Sequence, residues 1–201
     1  TFSELIDVYK NNKKICDVAG ICYRGKDGGI VTTANRVQIK DIDILPHPKR
    51  ESIQSPNYRM ATKWNFKEPF ATVTTSRGCP YLCTFCNVHE MFERKIRYRS
   101  VESVIDELQI LVSKYNTKDI IFYDDTMTVS KRRLKKLCQA IIDAKLDLSW
   151  GCYSRVSAID DQLAAIMSKA GCRMISFGIE SGSQKMLDIM KKGTKVDQAH
   201  N

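Results

Sequence analysis

A chain of 201 residues, 43% hydrophobic and 27% charged, holds ordinary globular material for one sizeable core with a small appendage, and is neither disordered nor fibrous. Its longest apolar runs, such as Ile120-Ile121-Phe122, fall far short of the roughly 20 residues of a bilayer span, and no charged-then-apolar leader opens it, so a soluble cytoplasmic protein without a membrane span is expected. The formal charge of +9 invites a nucleic-acid partner, but the basic residues fall on expected helix faces, as in Lys131-Arg132-Arg133 and Lys135-Lys136, which reads as solvated helix surface.

In chain order, Phe2, Leu5, Ile6 and Tyr9 have helical spacing. The β-rich runs 18–23 and 30–33 flank Gly25-Lys26-Asp27-Gly28-Gly29, the pattern of a hairpin. Residues 36–67 carry Pro46, Pro48 and Pro56 with mixed charge and little periodicity, as a linker or extended wrap would. Strands then alternate with helices. Residues 71–75, 119–123, 148–152 and 174–179 read as strands. Ser100 suits the N-cap of a helix with Val101, Val104, Ile105, Leu108, Leu111 and Val112 on its apolar face, and Ser130 that of one burying Leu134, Leu137, Cys138, Ile141 and Ile142. A third helix, with Leu163, Ile166 and Met167 inward, stops near Gly171. Repeated strand-helix-strand units imply a parallel sheet with right-handed crossovers. After the fourth strand only a helix beginning at residues 183–187 follows, so the sheet is expected to be incomplete and the chain a fragment.

The eight cysteines do not have the spacing of a disulfide framework: Cys79, Cys83 and Cys86 crowd one segment and the other five are scattered. In a reducing compartment the crowded three read as metal ligands. The segment Arg77-Gly78-Cys79-Pro80-Tyr81-Leu82-Cys83-Thr84-Phe85-Cys86 directly follows the first strand. Three thiolates in one loop can hold three irons of a cubane cluster, because soft sulfur suits iron-sulfur centres. The fourth iron then lacks a local cysteine and can bind a chelating amino acid group. A zinc site wants four ligands, and a ferredoxin a fourth cysteine, and neither is near. Of the rest, Cys152 alone points toward the expected active mouth, as a minor catalytic candidate. Cys16, Cys22, Cys138 and Cys172 read as small hydrophobes, and His47 and His89 as ordinary polar residues.

The Cys-x-x-x-Cys-x-x-Cys triad, with an aromatic before its last cysteine, in a loop after the first strand of a β/α series, resembles the radical S-adenosylmethionine (radical SAM) superfamily over residues 69–193. The resemblance implies a partial (β/α) TIM-like barrel. It also implies that Cys79, Cys83 and Cys86 hold a 4Fe-4S cluster which reductively cleaves S-adenosylmethionine (SAM) to a 5′-deoxyadenosyl radical. Phe85 would then shield the cluster or lie beside the adenine. Asp124 and Asp125 would stand where many members have a Gly-Gly-Glu segment for the ligand's amino group, Arg155 would meet its carboxylate, and Glu180 would reach the ribose hydroxyls. A reducing protein such as a flavodoxin or ferredoxin is the implied partner.

The wider pattern, including Phe122-Tyr123-Asp124-Asp125-Thr126, Trp150-Gly151-Cys152 and Gly178-Ile179-Glu180-Ser181, resembles the cobalamin-binding-domain members. Residues 1–35 would be the end of a Rossmann-like cobalamin domain, 36–67 a linker, and 68–201 the first part of the barrel. Cobalamin would be held mainly by an upstream domain, and methyl transfer is the leading chemistry. The alternatives are a cobalamin-independent radical SAM enzyme modifying RNA or peptide, and a non-catalytic iron-sulfur or zinc protein.

Overall fold

A computed structural model describes residues 1–53 and 69–200, so the later part of the expected linker, from residue 54 to 67, lies outside the described residues. The chain forms two compact units, Thr1–Ile39 and Lys40–Asn201. In the first, helix α1 (Phe2–Asn11) precedes an antiparallel hairpin of β1 (Cys22–Arg24) and β2 (Ile30–Thr32). Asp27 shapes its turn by accepting from Gly29 N (3.1 Å). Arg36 ties the unit together, pairing with Glu4 and donating to Ala19 O.

The second unit is built on a four-stranded parallel sheet of β3 (Phe70–Val73), β6 (Asp119–Phe122), β7 (Ser149–Ser154) and β8 (Cys172–Phe177), in that spatial order. Between β3 and β6 lie the two-residue strands β4 (Ser76–Arg77) and β5 (Arg97–Tyr98), which pair antiparallel around helix α2 (Val88–Phe92). Strands that follow one another in space as in sequence, linked by crossovers of one hand, receive all their helices on one face, which is barrel-like rather than doubly wound. Helices α3 (Val101–Tyr115), α4 (Lys131–Asp143) and α5 (Asp161–Lys169) are those crossovers, and α6 (Gln184–Ile189) follows β8.

The expected caps form. Ser100 Oγ accepts from Ser103 N (3.1 Å), Ser130 Oγ from Arg133 N (3.3 Å) and Asp160 from Leu163 N (2.8 Å), each supplying an acceptor for an otherwise orphan amide. Val104, Leu108 and Leu111 of α3, Leu134, Leu137, Cys138 and Ile141 of α4, and Leu163 and Met167 of α5 bury themselves against Val73, Ile120, Phe122, Trp150 and Cys152 of the sheet. Phe122 and Trp150 meet edge to face at 5.2 Å, and Trp150 Nε1 donates to Ala170 O (2.7 Å), so the largest core side chain leaves no polar atom unmet.

Residues 40–53 pack on this second unit. Asp43 accepts from Ser100 N (2.9 Å) ahead of α3. Arg50 donates to Thr72 O (2.9 Å) and Arg99 to Thr74 O (3.1 Å), and both guanidiniums converge on Glu107 at 2.6 and 2.5 Å. Glu107 is a buried carboxylate on α3, and the two arginines it holds cover carbonyls along the edge strand β3, a place where unpaired backbone invites association. The solvated-face reading of residues 131–133 fits Arg132, which is exposed, but not Arg133. Its guanidinium turns back over the Tyr98 ring (4.8 Å) and donates to Thr75 O, Thr75 Oγ1 and Arg99 O. Among the described residues no helix is long and apolar enough to cross a membrane.

Candidate metal centre at the carboxyl edge of the sheet

Register places Val73 beside Phe122, Phe122 beside Cys152, and Cys152 beside Ile175. The loops that follow the four strands therefore leave one edge together, where chemistry collects in β/α folds. The first loop is shaped by Asp124, a buried side chain that accepts four hydrogen bonds. Thr75 N (2.6 Å) and Ser76 N (3.2 Å) donate to its Oδ1, and Thr75 Oγ1 (2.6 Å) and Ser76 Oγ (2.7 Å) to its Oδ2. Burial pushes this carboxyl above the usual carboxylate range, against the pull of those donors. Asp124, expected to face a ligand, is directed instead at the loop. Asp125 is exposed and accepts from Gly78 N (3.1 Å). Gly78 has φ +99°, and a Cβ there would lie 2.1 Å from Lys95 O, so only glycine lets the chain pass this close to the turn between α2 and β5.

All three cysteines of the loop are free thiols, Cys83 buried and Cys79 and Cys86 partly exposed. Cys86 N donates to Cys83 O (3.1 Å), which closes a turn between two of them, and Thr84 N donates to Met190 O (3.0 Å), which docks the loop on the end of α6. Cys79 Sγ lies 3.8 Å from Thr126 Oγ1. Arg155, just after β7, is 4% exposed. Its Nη1 donates toward Cys83 Sγ at 3.6 Å, its guanidinium stacks on the Tyr81 ring at 3.8 Å, and its buried Nε has no partner. Among the described residues no carboxylate pairs with it. A buried cation lacking a carboxylate is costly unless other negative charge lies within reach. Cys83, as a thiolate, would supply it.

After β8, Glu180 adopts φ +69° and pairs through Oε1 with Lys192 Nζ at 2.9 Å. Phe85 is exposed, with the Lys192 ammonium 5.8 Å from its ring centroid. The carboxyl edge thus carries, within one group of loops, the thiol triad, a buried arginine beside one thiol, and a carboxylate held by a lysine.

A family model described as the radical SAM superfamily matches residues 73–200. The chain belongs to that superfamily. It is 35% identical over 199 residues to an uncharacterized methyltransferase of Pyrococcus horikoshii, covering 99% of this chain and 42% of the relative. It is also 30% identical over 183 residues to the anaerobic magnesium-protoporphyrin IX monomethyl ester cyclase of Rubrivivax gelatinosus, covering 90% of this chain and 32% of that enzyme. Among solved structures, the apo form of the cobalamin-dependent S-adenosylmethionine radical enzyme OxsB superposes with a TM-score of 0.78 over 98% of this chain at 23% identity. At 23% identity the likeness is one of fold, and the match spans 29% of OxsB. The chain therefore spans less than half the length of these relatives.

The donor set fits the cluster of a radical SAM protein. Three soft thiols stand on one loop, and the buried guanidinium of Arg155, which has no carboxylate partner among the described residues, lies beside Cys83 with the placement expected of a counter-charge to thiolates. Among the described residues no three His, Cys, Asp or Glu side chains converge on a point where a single ion could sit, and ligands to separate irons have no need to. Cys152 does not point to the mouth: it is fully buried under the helices, and hydrogen bonding to the Cys172 thiol together with burial pushes its own thiol upward. Lys192 and Tyr81 are not singled out by sequence, and Arg133 is read there as solvated surface, since a lysine after a helix, an aromatic in a loop and an arginine on a helix each have common solvated roles.

Proposed function

We propose that the chain is the cluster-binding part of a radical SAM enzyme that uses cobalamin and transfers a methyl group. The observation that carries the cluster assignment is the cysteine triad at the sheet's carboxyl edge with buried Arg155 donating toward Cys83 at 3.6 Å. Cys79, Cys83 and Cys86 would hold three irons and leave the fourth open to the amino and carboxylate groups of SAM. When bound, the reduced cluster would supply one electron to the sulfonium, splitting SAM into methionine and a 5′-deoxyadenosyl radical.

The chain's own residues serve that chemistry by placement. Asp124 fixes the strand-to-loop turn, and Asp125 steadies Gly78 and the start of the triad. Arg155 would balance the charge of cluster-bound thiolates and offers a buried cation to a ligand carboxylate. Phe85, exposed beside the triad, would keep water from the cluster, and Glu180 offers a carboxylate for ribose hydroxyls.

The cobalamin reading is supported by the likeness to OxsB, which extends over 98% of the chain, and methyl transfer by the likeness to the uncharacterized methyltransferase of Pyrococcus horikoshii. Residues 1–35 would be the last part of a cobalamin-binding-type domain, 36–67 its connector and 68–201 the opening of the barrel. An electron donor such as a flavodoxin or ferredoxin, in the reducing cytoplasm, would complete the system. The test is anaerobic purification of the full-length protein with and without cobalamin supply, followed by reduction with SAM. Retained cobalamin together with 5′-deoxyadenosine or demethylated SAM supports the proposal. Turnover of SAM by a protein that never retains cobalamin would favour the cobalamin-independent reading, with RNA or peptide as substrate.

A further inference from the structure

We propose that Lys192 is a positioning residue that locks the Glu180 carboxylate and the cysteine loop into one receptor for the ribose end of SAM. The inference rests on the cluster-and-SAM reading above. Lys192 is 6% exposed, an uncommon place for a lysine, because an ammonium taken from water must recover its hydration through partners. Its partners come from two separate segments. Nζ pairs with Glu180 Oε1 at 2.9 Å beyond β8, and sits 5.8 Å from the centroid of Phe85 in the cysteine loop.

The backbone on which Lys192 stands is fixed at both contacts. Lys192 N donates to Leu187 O (2.9 Å), and two residues earlier Met190 O accepts from Thr84 N (3.0 Å) in the middle of the triad. The pair also needs room that glycine provides: a Cβ on Gly178 would lie 2.7 Å from Glu180 Oε1 and 3.0 Å from Lys192 Nζ.

Glu180 carries the second half of the argument. It holds φ +69°, a left-handed conformation that is unfavourable for a residue with a Cβ. Strain of this kind persists where the surroundings impose it and collects at ligand sites. Its side chain is 35% exposed. Among the described residues Oε2 makes no hydrogen bond, so one carboxylate oxygen is pinned by a buried ammonium while the other is left without a protein donor. Vicinal hydroxyls are donors that such an oxygen can receive. An ion pair serving stability alone requires neither the strained backbone nor the buried lysine, since a surface pair would do as well.

The test uses the full-length protein with its cluster reconstituted, as wild type, Lys192→Met, Lys192→Arg, Glu180→Gln and the double variant Lys192→Met/Glu180→Gln. Affinity is read at equilibrium, without turnover, for SAM and for methionine, which lacks the ribose, and Tm is read without either. Lys192→Met should weaken SAM by about 10- to 100-fold, the loss typical when a residue orienting a ligand-holding group is removed, and leave methionine unchanged. Lys192→Arg should recover part of the loss, and the double variant should bind no worse than Glu180→Gln alone. Unchanged SAM affinity in Lys192→Met would overturn the proposal. So would equal weakening of SAM and methionine in step with a fall in Tm, which would mark a purely structural lysine. If Lys192→Met does not fold, Lys192→Arg decides on the same readings. A wild type that binds neither ligand would sink the cluster reading itself, a result distinct from either of these.

Discussion

Replacing Asp124 separates a brace from a ligand contact. In Asp124→Ala the amides of Thr75 and Ser76 lose the oxygen they donate to at 2.6 and 3.2 Å. Both lie in residues at most 3% exposed, where water cannot replace it. Each buried donor left unmet costs about 1–3 kcal/mol, while the two hydroxyls can rotate toward other acceptors and add little. A total of about 4 kcal/mol follows, which at about 2–4 °C per kcal/mol for a domain of this size lowers Tm by roughly 8–16 °C. Asp124→Asn keeps an oxygen in the Oδ1 position for both amides, and its NH2 group can donate to the hydroxyls, so it should cost about 1 kcal/mol. The assay is thermal unfolding of the full-length protein, paired with equilibrium SAM affinity of the Asn variant. The Asn variant should bind SAM as the wild type does. Loss of SAM binding in Asp124→Asn with Tm unchanged would refute the reasoning and return Asp124 to the cofactor.

Removing the carboxylate that two arginines share, in Glu107→Ala, should destabilise the protein by about 3–5 kcal/mol, because partly buried guanidiniums are left unpaired; denaturant midpoints check this, with Glu107→Gln falling between. Gly78→Ala should impair iron and sulfide incorporation, since a Cβ would strike Lys95 O and the positive φ adds about 1–2 kcal/mol. Gly182→Ala, where a Cβ meets nothing within 4 Å, should load iron normally. The Cys138 thiol, pushed up by burial to about 12, stays protonated in the folded protein while the unfolded chain ionises near an ordinary value of about 8.5. The contribution is therefore whole below that value and is lost as pH rises toward 12, so stability should decline with alkali above about pH 8.5. Cys138→Ala should flatten that decline in Tm measured across the range, and native Cys138 should resist alkylation that modifies exposed Cys16 and Cys22.

Sequence periodicity reached the elements whose burial is local. The apolar faces of α3 and α4 and the caps at Ser100 and Ser130 follow from residues within one turn of each other, and the four long strands from short apolar runs. It did not reach β4 and β5, because two-residue strands carry no period. The cysteine triad was legible because its ligands are close in sequence. The residues that hold the site were not, since their partners are remote: Asp124 meets Thr75 across 49 positions, Arg50 meets Glu107 across 57 and Arg133 meets Thr75 across 58. A charge run states which side chains are ionic and not which of them turn inward, so Arg133 reads as surface until the Thr75 carbonyl is seen beside it. Cys152 misled for a related reason. It ends an apolar run near the carboxyl edge, but alternation in β7 sends it toward the helices with Trp150.

The central claim is that Cys79, Cys83 and Cys86 together hold a 4Fe-4S cluster with one iron open to SAM. The most direct measurement is iron and sulfide content with electron paramagnetic resonance of the reduced full-length protein after anaerobic reconstitution, recorded with and without SAM, for the wild type and Cys83→Ala. The account predicts a cubane signal in the wild type that SAM alters, and its loss in Cys83→Ala together with loss of 5′-deoxyadenosine. Bound zinc in place of iron, or a cluster and SAM cleavage unchanged in Cys83→Ala, would contradict it.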